Sequence, residues 1–183
     1  MNFGEALSRG LEIIKLNVQA MKQVAEDPNA LLPAAIILAI GGALGGVAGL
    51  SPVTIVMGGI LAPVLAFVWV VIVHFVATML GGSGDYMGLY KAWGHGPGLL
   101  GWAGVIGAIP CAGWILLIPL WIWQLVIGVL LVEQIHELTR GRAVAAILIP
   151  LAIFMVCCGA AVAIAIAMGL SMAALGGAVA GAE

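Results

Sequence analysis

Few side chains of this sequence are candidates for chemistry, and those that we consider lie between residues 74 and 137. They are carboxylates, an amine and imidazoles, which serve as general acids, general bases and metal ligands. Their positions in the sequence give three groupings that could form a site: a Glu-x-x-His pair, a set of three histidines, and a cluster of charges at 132–142. The residues are His74, Asp85, Lys91, His95, Glu133, His136 and Glu137.

None of these groupings completes a known site. Glu133 and His136 have the spacing of half a carboxylate-bridged di-iron site, which needs a second such pair and two more glutamates. The sequence has no second pair, and its three histidines lack zinc-site spacing. The glycine-rich stretch 81–84 lacks the Lys-Ser/Thr of a phosphate loop, so it is interpreted as a turn that ends a helix. We therefore predict no catalytic residue, no metal and no cofactor.

The composition predicts an integral membrane protein. The 183 residues are 64% hydrophobic and only 8% charged, with a mean hydropathy of +1.25. A soluble domain has about a quarter charged residues, and a chain this apolar would expose large sticky surfaces in water. The net charge of −2 gives no reason to expect a nucleic-acid partner. The lipid bilayer is the expected surrounding medium.

Charge-free blocks at 28–84, 92–132 and 143–182 predict an all-α, polytopic bundle of transmembrane helices. One crossing needs about 20 residues, so the first block holds two. The middle block is either one long helix or a hairpin that turns at 110–113. We expect two regions: a cytoplasmic helix at 1–27 and a transmembrane domain at 28–183. Five spans are predicted at about 30–50, 54–80, 98–110, 114–133 and 143–168, followed by an external tail.

The distribution of basic residues favours five spans over four. With five, all six Lys and Arg residues lie on the side of the N-terminus, whereas with four Arg140 and Arg142 would lie on the other side. Basic residues collect on the cytoplasmic side of membrane proteins. We therefore expect a cytoplasmic N-terminus and a C-terminus on the far side.

Residues 1–27 show the period of an amphipathic helix, with apolar residues at intervals of three and four. The pairs Glu5–Arg9 and Lys22–Glu26 have i,i+4 spacing. Such a helix lies on the inner membrane surface, or packs against the cytoplasmic ends of the other helices. The sequence leaves both possibilities open.

A glycine-rich run in the first predicted span indicates close helix packing. Gly41, Gly45 and Gly49, together with Gly42 and Gly46, form overlapping G-x-x-x-G pairs. Small residues let two helix backbones approach closely in lipid. Whether the partner helix belongs to the same chain is open at this point.

His74 and the cluster at 132–142 have both a structural and a functional interpretation. His74 is expected about one and a half turns inside the second span, where a histidine either marks a functional site or, as a neutral ring, hydrogen-bonds across helices or reaches the interface. Glu133 and Glu137 are one helical turn apart, so we expect them to point to one side, while Arg140 and Arg142 hold the loop inside. The cluster is first a boundary between spans and second a docking surface.

Two segments together are similar to a known family. They are 74–86, His74-Phe-Val-Ala-Thr-Met-Leu-Gly-Gly-Ser-Gly-Asp-Tyr86, and 121–143, which runs from Trp-Ile-Trp-Gln to Arg-Gly-Arg-Ala. The chain resembles the Ypt-interacting-protein (Yip) family over about residues 27–168. The resemblance implies five spans, a cytoplasmic N-terminus and no catalytic residue. Eukaryotic members act in vesicle traffic and contact small GTPases. The short N-terminal region here departs from that pattern and is more like the compact prokaryotic branch, which implies the inner membrane of a prokaryote.

Two functional hypotheses follow. The first is a non-enzymatic membrane scaffold that binds other membrane proteins or itself through the glycine face, the N-terminal helix and the cytoplasmic loops. The second is a small transporter or channel, in which proline-broken spans and His74 line a polar path. An enzyme ranks third because no nucleophile–base pair is visible.

Overall fold

The computed structural model describes the backbone of residues 1–109 and 112–180, and their side chains except those of 114 and 169–180. Over these residues it is all helical, which confirms the predicted fold class. Short 3-10 helices at Pro28–Ala30, Val47–Gly49 and Gly101–Ala108 lie between α-helices. The α-helices are α1 (Phe3–Ile14), α2 (Val18–Glu26), α3 (Leu31–Gly46), α4 (Pro52–Met79), α5 (Tyr86–Leu100), α6 (Gly113–Ile135) and α7 (Arg140–Ala180).

Four of the described helices are long and apolar enough to cross a membrane, namely Pro28–Gly49, Pro52–Met79, Ile115–Ile135 and Arg140–Met168. The chain is therefore a multi-pass membrane protein. It divides into two compact units, Met1–Ile147 and Leu148–Glu183. We call the first the main unit. The second continues α7 as a helix to Ala180, so the external tail expected after residue 168 is helical over its described part.

The predicted N-terminal helix is two helices. Asn2 accepts a hydrogen bond from the Glu5 amide and caps α1, while Asn17 caps α2. Between them Leu16 has φ 67°, a left-handed conformation that breaks the helical path. The buried faces of α1 and α2 pack against α5. Packing against other helices, one of the two possibilities left open, is thus what the structure shows.

Close backbone contacts fix the antiparallel register of α3 and α4. A Cβ on Gly42 would collide with the carbonyl oxygen of Gly58, and one on Gly46 would collide with that of Thr54. Extended along both helices, this register places Pro28 about level with Ile72. The last two turns of α4 therefore project beyond the point where the first apolar helix begins.

The predicted third span is not an independent helix. Residues 98–109 are the end of α5 followed by the 3-10 helix, and residue 110 lies outside the described part. Glycines at 98, 101, 104 and 107 weaken the α-helix here, and tight 3-10 turns replace it.

Together α5 and the 3-10 helix follow α3 along its whole length. Gly94 packs on Ala34 at one end, and Gly104 packs on Gly45 near the other. Because α5 runs parallel to α3, this segment lies beside α3 from end to end. The segment begins at Tyr86, twelve residues before the predicted span, which is why the charge-free block did not show it.

Candidate functional site at the charged end of the main unit

Two histidines from different helices meet where α4 and α6 end. We call this region the charged end, because Glu26, Asp85, Lys91 and Glu137 also lie there. His74 Nδ1 and His136 Nε2 are 2.9 Å apart, within hydrogen-bonding distance. The His136 side chain is fully buried, and the ring of Tyr86 lies 5.9 Å from that of His74. This confirms the predicted hydrogen bond across helices. His74 lies five residues, about one and a half turns, before the end of α4 at Met79.

The second nitrogen of His136 has no hydrogen-bond partner among the described residues. If His136 donates from Nε2 to His74, its Nδ1 is an unpaired acceptor. If His136 accepts, Nδ1 carries an unpaired N–H, and buried unpaired N–H groups are the rarer and costlier case. The first tautomer is therefore favoured, and any proton added to this ring would lie at an unpaired buried nitrogen.

The same burial weakens the basicity of His136. Loss of hydration lowers its pKa to about 4, and the neighbouring His74 adds to the decrease, while Asp85 opposes it. Asp85 itself caps α5, since its carboxylate accepts a hydrogen bond of 2.8 Å from the Gly88 amide. At neutral pH the His136 imidazole is thus neutral, and one hydrogen bond joins it to His74.

The glycine-rich turn that ends α4 covers His136. The Ser83 amide donates to the His136 carbonyl oxygen at 3.1 Å. A Cβ on Gly84 would collide with the Ile135 carbonyl oxygen, and Gly81 has φ 94°, which an L side chain rarely adopts. Glycine is therefore required for the turn to fit over the end of α6.

The charged cluster after α6 is arranged differently from the prediction. Glu133 accepts from Arg140 Nε at 3.0 Å, and Arg142 Nη1 donates to the Leu80 carbonyl oxygen at 3.2 Å. Glu137 lies beyond the end of α6 and has φ 54°. Glu133 and Glu137 therefore do not share a helix face, because the helix ends between them at Ile135.

A second polar contact, absent from the sequence predictions, joins the N-terminal helices to α5. Asp27 pairs with Arg9 at 3.2 Å, and its carbonyl oxygen accepts from Lys91 Nζ at 3.0 Å. A hydrogen bond from the Asn29 amide lowers the Asp27 pKa, and Arg9 adds to the effect. Lys91 is 8% exposed. No pattern of sequence spacing predicts this contact, since Lys91 and Asp27 are 64 residues apart.

The three histidines do not gather. His95 lies on α5, and its Nδ1 contacts the Lys91 carbonyl oxygen at 2.8 Å. Over the part of the chain that the structure describes, no group of three or more His, Cys, Asp or Glu is placed to hold a metal ion.

The glycines predicted as a packing face contact helices of the same chain. Gly41 packs on the Gly98 carbonyl oxygen and Trp102, and Gly49 packs on the Thr54 side chain. A Cβ on Gly45 would meet no atom within 4 Å. The close contacts that the glycines permit are therefore largely used inside the main unit.

The model of the Yip1 domain matches residues 12–162, most of the chain. The chain belongs to the Yip1 domain family. No curated protein and no solved structure gave a significant match. The resemblance seen in the sequence is confirmed.

Membership of the Yip1 domain family decides the class of protein. The family is non-enzymatic, and the chain is one of its multi-span membrane members. The histidine pair and the charged cluster therefore have structural or binding roles.

Proposed function

We propose that this Yip1 domain protein is a membrane scaffold that assembles with other membrane proteins or with itself. One observation carries the proposal: the polar side chains at the charged end tie the chain's own helices together. His74–His136 joins α4 to α6, and Lys91 joins α5 to Asp27, the residue before the first apolar helix. Polar side chains that bond to each other fix the positions of the helices at this end. The surface they form is therefore rigid, and a rigid surface is suited to binding other proteins.

The placement of the basic residues supports a cytoplasmic charged end. Arg9 and Lys91 meet at Asp27, and Arg140 and Arg142 contact Glu133 and Leu80 beside the ends of α6 and α4. Basic residues collect on the cytoplasmic side. We therefore propose a cytoplasmic N-terminus, an odd number of crossings and, from the likeness to compact family members, a prokaryotic inner membrane.

The assembly surface differs from the glycine face, because that face is occupied within the chain. We propose the outward side of α4 instead, where bulky apolar residues such as Val64 (53% exposed) and Phe75 (62% exposed) project from the main unit. A small GTPase is not part of the proposal, since α1 and α2 are folded onto α5.

Site-specific photo-crosslinking in native membranes tests the proposal. A photoreactive residue at Val64, or at the exposed Thr139 beside the charged cluster, is expected to give discrete protein adducts. The same residue at Val73, which is fully buried, is the matched control and should give none. A chain that stays without adducts at both exposed positions is not a scaffold.

A small transporter is the second candidate, favoured by two cavities within the main unit. Their volumes are about 230 and 270 Å³, and Gly101 and Gln124 line both. The Gln124 amide donates to the Pro97 carbonyl oxygen at 3.1 Å. His74 lines neither cavity, so a path through them would depend on Gln124. Solute flux into liposomes that is lost in Gln124→Leu but kept in His74→Ala would favour this candidate.

A further inference from the structure

An open groove of about 440 Å³ lies at the charged end, between α2, α5 and α6. Its walls carry both signs of charge. The acidic residues outnumber the basic ones by three to two, and the remaining lining is small or uncharged. The lining residues are Lys22, Ala25, Glu26, Asp85, Gly88, Lys91, Gln134, Ile135 and Glu137.

Several of these charges have no partner within the described chain. Lys22 and Glu26 do not form the ion pair that their spacing predicts, and Glu137 forms none with a described residue. All three side chains are exposed at the groove. A ligand that carries both a cation and an anion would pair with them without displacing an internal contact.

The groove lies beside the residue that precedes the first apolar helix. Lys91 donates to the carbonyl oxygen of Asp27, which is that residue. Asp85 and Glu137 lie past the ends of α4 and α6. Lys91 is thus next to the start of the first apolar helix, and two of the three carboxylates lie beyond the ends of the neighbouring helices.

We propose that the groove binds the headgroup of a phosphoethanolamine lipid. The phosphate, which lies next to the acyl chains, pairs with Lys22 and Lys91. The primary ammonium has three N–H donors and meets the carboxylates of Glu26, Asp85 and Glu137. The inference needs the membrane setting but not the scaffold role.

The lining argues against the other common headgroups. A choline group is recognised by aromatic rings, and the described lining of the groove contains none. A phosphoglycerol headgroup carries no cation, so it would leave the three carboxylates unpaired beside its own negative charge. Of these three headgroups, only ethanolamine combines a phosphate with an ammonium group that donates hydrogen bonds to carboxylates.

Native mass spectrometry of the full chain in mild detergent tests the proposal. Phosphatidylethanolamine, phosphatidylcholine and phosphatidylglycerol with identical acyl chains are compared at equal concentration. The wild type is expected to bind the ethanolamine lipid about tenfold more tightly than the other two, since charge-assisted hydrogen bonds are worth at least that factor. Glu137→Gln and Lys22→Gln should remove this preference. Lys15→Gln, an exposed lysine of α1 outside the groove, should keep it.

Equal binding of the three lipids by the wild type overturns the proposal, and points to a charged peptide as the ligand. A preference that survives both groove substitutions overturns it as well. Unchanged melting temperatures of the variants show that they are folded. Crosslinked adducts at Val64 depend on assembly and not on lipid, so the two proposals fail independently.

Discussion

Acidification from pH 7.5 to pH 5 is expected to destabilise the protein through His136. The ring is buried as a neutral base, and its pKa is lowered from 6.5 to about 4. In the unfolded chain the same imidazole takes up a proton near pH 6.5. Because the unfolded state then binds more protons than the folded state, stability falls as the pH decreases through 6.5 toward 4.

The size of the effect follows from the two pKa values. At pH 5 the unfolded imidazole is almost fully protonated and the folded one is mostly neutral, a difference of about 2 kcal/mol in the free energy of unfolding. For a chain of this length that corresponds to about 5 °C in melting temperature. The experiment does not go below pH 5, so that protonation of carboxylates in the folded protein does not contribute to the change. Glu12 and Asp27, whose pKa values are lowered from 4.5 and 3.8, stay ionised at pH 5. A hydrogen bond from Lys15 causes the shift of Glu12, and one from the Asn29 amide that of Asp27.

Thermal unfolding in one detergent at both pH values gives the measurement. His136→Phe is the control: it loses the hydrogen bond to His74 and should be less stable at pH 7.5, but its decrease at pH 5 should be about 2 kcal/mol smaller than that of the wild type. A melting temperature that is equal at both pH values in the wild type would refute the reasoning. So would an equal decrease in the variant, since the responsible proton would then bind elsewhere.

Four further substitutions test the packing and polar contacts. Gly42→Leu should lower stability by about 3 kcal/mol because its side chain meets the Gly58 backbone, whereas Gly45→Ala, with open space around it, should leave the melting temperature unchanged or slightly higher. Glu137→Gly should raise the free energy of unfolding by about 1 kcal/mol, since glycine adopts the left-handed conformation freely; a lower melting temperature would contradict this. Lys91→Met should reduce stability by about 2 kcal/mol in denaturant titration because the Asp27 carbonyl oxygen loses its donor, and an unchanged midpoint would show that the contact is dispensable.

The spans that stand out in the sequence are those in which long side chains face lipid. The helix at Pro52–Met79 is apolar on all sides, so its length alone identified it. The histidine bond was also predictable, because a polar ring on an apolar helix needs a partner and the partners were few. The glycine run was recognised as a packing face before its partner helices were known, because small residues let helix backbones approach closely in lipid.

The segment Tyr86–Ala108 could not be predicted because its burial depends on its neighbours. Lys91 and His95 interrupt its hydropathy, and both are buried by contacts with α1, α2 and α3. The left-handed conformation of Glu137 was equally hidden, since glutamate gives no local signal for it. Contacts between residues far apart in sequence decide these features, and a single sequence does not show them.

The main unit is held together by two different forces along its length. Beside the apolar stretches, helices gain little from burial because lipid is as apolar as leucine, so close glycine contacts decide the packing. At the charged end, Met21, Val73, Leu89 and Leu131 form a core with no exposed surface, as in a soluble protein. A truncation such as Leu131→Ala should therefore cost about 2–5 kcal/mol, whereas one on the lipid side of α4 should cost little. The histidine pair and the groove both lie at the charged end, where burial from water stabilises the core and an unpaired buried polar group is costly.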